Sequence, residues 1–337
     1  MTRPLNIGFL LFNLIVCPSV FLHSQLLEDT RQHSLLLLGI DLTLRQEYRE
    51  AEQSFQTCIT EFPKHPAGYL YLAGMLQAKN TDYGDFFNEK RYDSLLNIAE
   101  MLSEPFIDDP KTKAFGYYYS GSSEAFRAYT KSENGNLASG IYFGLSAGNT
   151  LEKCLEADPK FVEAKNILGS FYYWRSKLAW IPFIPDKTNE GIDLIIESFS
   201  HPYEKHLASH NLMVIFTEEK QYADAERYGL IMLKEYPENR LFLWNLMTVY
   251  EQWNKPAEMI ETVRKLLNST MNAQVTNHYT EAVCRLKLAR FAIGKKDTTT
   301  ARTELQLVLA LKKYIGKTKG DLRKKITQAE DLLETIE

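Results

Sequence analysis

Cysteine is scarce in this chain: four in 337 residues, with no C-x-x-C pair among Cys17, Cys58, Cys154 and Cys284. That spacing excludes a fold built on a disulfide framework. Glycine (17) and proline (12) are too few for a linker-rich or collagen-like chain. Charge of neither sign dominates, and a formal net charge of −4 implies nothing about nucleic acid. The phosphate-binding signature is missing too, since no G-x-G-x-x-G loop occurs. The G-K-T at 316–318 lacks the earlier glycine of a phosphate loop. His206 and His210 stand one helical turn apart, with Leu207 where a zinc protease needs its glutamate. They read as ordinary helix histidines. What the chain does have is apolar material, 45% hydrophobic and 12% aromatic, enough for a large core.

Residues 1–24 form a separate object. Arg3 precedes the apolar run LNIGFLLFNLIV, and Pro18 and Ser24 follow before the polar QLLEDTRQ. That order predicts an export signal cleaved after Ser24 and a periplasmic or secreted mature chain. The alternatives are an uncleaved anchor over 5–22 and lipidation at Cys17.

The remaining chain repeats a ruler. Twelve residues separate Ala51 from Pro63, Ala147 from Pro159, and Ala225 from Pro237. Nine residues beyond each proline stands a leucine, Leu72, Leu168 or Leu246, and four further on Leu76, Tyr172 or Tyr250. Each residue type has a local reason. Alanine lets two antiparallel helices approach closely. Proline cannot continue a helix and so ends the second one. The large apolar residues fill the seam between successive helix pairs. Cys58 and Cys154 share one place in the ruler, which predicts buried thiols packed as small hydrophobes.

With Leu38-Gly39, Leu42, Ala51, Phe55 and Pro63 in its first unit, the chain resembles the tetratricopeptide repeat family. Leu168, Gly169 and Tyr172 continue the pattern, as do Leu212, Phe216, Tyr222, Ala225 and Pro237, where Gly229 replaces a large residue. A looser unit holds Leu246, Tyr250, Met259, Val263 and Leu266, and a last one Leu288, Ala289, Ala301, Leu305 and Val308. The resemblance implies an all-α, right-handed superhelix of antiparallel helix pairs with a C-terminal capping helix. The expected division is repeats over 25–76, stretched hairpins over 77–159, repeats over 160–313 and a basic cap over 314–337.

Two stretches depart from the ruler. Residues 77–147 read as longer helices, and Gly140, Gly144 and Gly148, four apart, predict a close crossing against Ser120, Gly121 and Ser122. The greasy loop 177–187, KLAWIPFIPDK, is expected to fold back over the array, with contact to a membrane surface or partner as the alternative.

The resemblance further implies a concave face lined by first helices, where Asn166, Tyr173, His210, Trp244, Thr248 and Arg290 would meet a partner. The family's carboxylate clamp is not expected, because Leu36 and Ile40 occupy its places. From Arg285 to Lys325 there are thirteen Lys or Arg against Asp297, Glu304 and Asp321. That excess predicts an acidic partner, an anionic membrane surface or head-to-tail self-association there, and no nucleic acid. The expected function is an exported, non-catalytic scaffold holding a protein or peptide in its groove, without cofactor or metal. The alternative is a small-molecule binder with a pocket between residues 117–119 and 172–174.

Overall fold

The computed structural model describes residues 29–85, 88–177, 179 and 183–336. Among these, every regular element is helical. The helices pair as α1 (Thr30–Leu44) with α2 (Tyr48–Glu61), α3 (Ala67–Tyr83) with α4 (Glu89–Asp108), and α5 (Lys113–Glu133) with α6 (Leu137–Ala157). Then come α7 (Val162–Ser176) with α8 (Thr188–Ser198), α9 (Lys205–Glu218) with α10 (Tyr222–Glu235), and α11 (Arg240–Gln252) with α12 (Pro256–Met271). A last pair, α13 (His278–Gly294) and α14 (Thr298–Leu309), runs through a 3-10 turn into the closing helix α15 (Leu322–Glu334). The expected export signal lies outside the described residues.

Two recurring turns build this array. Where a first helix ends, one residue adopts left-handed backbone: Gln46 (φ 65°), Gly135 (81°), Lys220 (58°), Asn254 (56°) and Lys296 (62°). Its own amide and the next then satisfy the terminal carbonyls, as Gln46 N–H does to Thr43 and Glu47 N–H to Leu42. Four of those five residues are not glycine, so the turn is held by the packing of its flanking helices. Where a second helix ends, Phe62, Asp158 or Tyr236 caps it, and Pro63, Pro159 or Pro237 prevents continuation.

The ruler residues sit where spacing predicts. Ala51, Ala147 and Ala225 are buried between paired helices, and the thiols of Cys58, Cys154 and Cys284 are free and buried. Phe55 lies flat over Gly39, where a methyl group would come within 2.5 Å of the ring. α7 and α8 touch backbone to backbone: a methyl on Gly169 would meet the Gly191 carbonyl oxygen at 2.4 Å.

One expectation is corrected. The turn at Gly135 sets an antiparallel register that places Gly140 across from Ser132 and Ala128, and Gly121 across from Leu151. Gly148 faces Phe171 of α7. The α6 glycines therefore do not cross Ser120, Gly121 and Ser122, because an antiparallel hairpin puts those residues near the far end of α6.

The superhelix closes on itself. The inner side of α1, α3 and α5 receives the turns that join the later pairs. His33 Nδ1 lies 2.7 Å from Tyr203 Oη, and Tyr118 donates to Glu204 at 3.1 Å. Farther up, Tyr236 donates to Asp41 at 3.1 Å and Asn239 to the Leu44 carbonyl at 2.7 Å. Arg240 grips the buried Asp82 through Nε at 2.7 Å and Nη2 at 2.6 Å. At the top, Asn277 donates to the Asp82 carbonyl at 3.0 Å, and the Lys319 amide to Gly84 at 2.6 Å. The inner face of the first three pairs is thus filled by the chain itself.

Candidate functional site

Filling of the early groove confines any open inner surface to α7, α9, α11, α13 and α15. Of the six residues expected to line a groove, Asn166 is buried and donates to Glu204 at 3.0 Å while accepting from Asn211 at 2.9 Å. Tyr173 is buried in the core of α8 to α11, with its hydroxyl on Glu219 at 2.7 Å. These two are spent on internal contacts. His210 is exposed to solvent, its Nδ1 held 2.8 Å from Asn245 Nδ2. Trp244 is half-buried, leaning on the cluster of Leu243, Met247, Val263 and Val283 while its ring lies 6.4 Å from that of Tyr279. Thr248, also half-buried, is tied to the Trp244 carbonyl at 3.1 Å. Arg290 is exposed, 3.4 Å from Gln328 of α15.

These contacts form a strip that steps from helix to helix. His210 and Asn245 join α9 to α11, Trp244 and Tyr279 join α11 to α13, and Lys325 of α15 stands over the Tyr279 ring at 5.7 Å. Tyr279 and Lys325 are the functional residues that spacing missed. Tyr279 lies near the start of α13, before the last unit's ruler residues. The sequence signal was its position at the first turn after the cap Asn277, whose side chain accepts from the Tyr279 amide at 3.1 Å.

The strip is positively charged at its α13–α15 end. Partial burial holds the Lys325 ammonium below its usual pKa, and Arg290, Lys324 and Lys287 push it further down against Asp321. Lys287 is paired with Glu251, whereas Arg290, Lys324 and Lys325 make no ion pair among the described residues. Like charges held together without an ion pair give a local field that attracts an anion.

Beneath the strip is a buried polar seam. Burial raises the Glu204 carboxyl to about 8, Glu163 adding to the shift and the donors Asn166 and Tyr118 opposing it. His201, buried 3.5 Å from Glu163, is pushed down to about 4 by burial and by the neighbouring charge of His33. These groups hold the α8–α9 turn against α5 and α7.

The space proposed for a small-molecule pocket is occupied by side chains: Tyr118, Tyr119, Tyr172 and Tyr173 are all buried. A crevice of about 190 Å³ does exist, but between α12, α13 and α14, lined by Arg264, Phe291, Lys295 and Glu304 among others. In the 177–187 loop, Phe183 is fully exposed, so that end of the loop does not fold back. Its backbone is left-handed, φ 72°. Trp180, Ile181 and Pro182 lie outside the described residues.

No family model matches this sequence, and no curated protein matches it. Solved structures do resemble it. A human IFIT1 dimer with PPP-AAAA aligns at a TM-score of 0.52 and 15% identity, over 87% of this chain and 64% of that one. The C-terminal part of a TPR repeat-containing protein from Cytophaga hutchinsonii aligns at 0.46 and 12%, over 88% and 99%. PilW, a type IV pilus biogenesis factor, aligns at 0.39 and 12%, over 89% and 98%. At such identities the likeness is one of fold. The chain has the helical-repeat solenoid fold of tetratricopeptide proteins.

Proposed function

We propose that this chain is an exported, non-catalytic scaffold that holds an acidic protein or peptide segment against the inner strip of α9, α11, α13 and α15. The observation that carries the reading is the alignment of His210, Trp244, Tyr279, Arg290 and Lys325 across consecutive first helices. A half-buried tryptophan with a tyrosine ring tilted beside it is the kind of rigid anchor that dominates interface energetics. The unpaired cations beside it favour carboxylates and speed encounter with them. Asn166 and Tyr173 then serve as the wall behind the strip, and Thr248 fixes the turn of α11 that carries Trp244.

The test is capture from an envelope extract by the immobilised chain, with the Arg290→Glu/Lys325→Glu variant alongside. The scaffold reading expects one or a few proteins retained by the parent, released by salt and lost from the variant. Equal retention by both would place the contact elsewhere. Retention of nothing but lipid would overturn it.

A further inference from the structure

We propose that the outer face of α6 is where two copies of this chain pair. From Asn134 to Leu151 no residue is charged, on a helix that lies at the surface. Leu137 (64%), Ile141 (64%), Tyr142 (68%) and Leu145 (47%) all face outward at helical spacing. Large apolar side chains exposed singly are ordinary, but four on one helix face form a patch. α6 packs on α5 along its length, and α7 covers only its second half, where Phe171 sits against Gly148. The first three turns carry the patch.

The size of the patch and its lack of charge both point to a second copy. At roughly 200 Å² per fully exposed large side chain, the four leave on the order of 500 Å² of apolar surface. A standard interface buries about 800 Å² per partner, somewhat over half of it apolar. The patch therefore matches the apolar centre of one interface. Along α6 itself the rim is polar but uncharged, with Asn134, Asn136 and Asn149 exposed around the patch, and the α5 charges Glu124 and Arg127 are engaged with Ser146, Thr150 and Phe143. A two-fold axis over α6 brings each surface onto itself, so any charge there would meet its own like. None does. An anionic membrane, in contrast, would find no Lys or Arg between Lys131 and Lys153 to attract it.

The test is sedimentation velocity of the full chain over a concentration series, with Ile141→Asp and Tyr142→Ser as single variants. The expected result is a mass rising from one chain to two, with the midpoint moved at least about tenfold higher in either variant and the melting curve unchanged. Because Cys58, Cys154 and Cys284 are buried, an Ile141→Cys variant with Cys17 also replaced by Ser should cross-link only to a second copy. A parent that stays monomeric throughout overturns the proposal. So does a dimer that both substitutions leave intact, or a monomer that floats with neutral phosphatidylcholine vesicles.

Discussion

Replacing Arg240 with leucine should unclasp the superhelix. The Asp82 side chain is wholly buried and accepts three hydrogen bonds, two from Arg240 at 2.7 and 2.6 Å and one from Tyr48 at 2.9 Å. Arg240 is itself 11% exposed and donates onward to the Ser269 carbonyl at 3.3 Å, so solvent screens this pair little. Leucine would leave a buried carboxylate with one donor in place of three. Breaking a buried pair from one side costs about 3–5 kcal/mol, since the remaining charge is stranded. Against a typical total of about 5–15 kcal/mol, that is a large fraction.

Urea unfolding followed by circular dichroism measures the loss. The double variant Asp82→Asn/Arg240→Leu is the control, because a neutral amide still accepts from Tyr48 and strands no charge. It should recover at least about 1 kcal/mol of the single variant's loss. Small-angle scattering should report a larger radius of gyration for Arg240→Leu, as α3 parts from α11. A loss under about 1 kcal/mol, typical of exposed pairs, would refute the reasoning. So would a double variant no more stable than the single one, which would make Arg240 a packing residue rather than a counter-charge.

Stability should peak near neutral pH. Glu204, raised to about 8 by burial, contributes stability that is complete below its unfolded value and is lost as pH rises through 8. His65 and His201, both pushed down to about 4 by burial, lose theirs as pH falls from the ordinary histidine value towards 4; Glu204→Gln should flatten the alkaline limb and steepen the acid one, which Glu204 partly offsets, and a steep alkaline limb persisting in that variant would refute the assignment. Burial holds the Cys58 thiol up at about 11 and raises that of Cys154 well above its ordinary value, so both should resist thiol reagents until urea unfolds the chain; rapid native labelling would contradict their packing. Lys220→Gly should raise stability by about 1 kcal/mol by relieving the left-handed turn, and a measured loss would mean its side chain matters more than its backbone. Trp244→Ala should cost about 1–2 kcal/mol, well short of an emptied core site, while partner capture falls at least about tenfold; unaltered capture would remove Trp244 from the strip.

The helix pairs were legible because each rests on short-range chemistry. Ala51, Phe55 and Pro63 do their work within one pair, and their types at those offsets leave little other than antiparallel helices. Burial of the three thiols followed from the same register. The glycines of α6 were misassigned for want of one fact, the turn at Gly135, which sets who faces whom. Gly-Asn at 135–136 is visible in the sequence, but the family ruler does not reach across the stretched pair, so nothing there anchored the count.

Closure of the array was not legible at all. Asp82 and Arg240 stand 158 residues apart, as do the residues of no single repeat, and whether they meet depends on small rotations accumulated over five helix pairs. No local pattern records that sum. Its effect on the candidate site is nevertheless decisive. An inner face shared by all seven pairs would expose Leu36, Ile40 and Leu70 to a partner, and all three are buried. The turns bearing Tyr203, Glu204, Tyr236 and Arg240 take that place. A groove residue named from register alone is therefore available only where no later turn arrives to cover it. In this chain that condition holds for His210 and Arg290, which are exposed, and fails for Asn166, whose amide is already bonded to Glu204. Curvature, rather than residue type, decides which inner positions can meet another molecule.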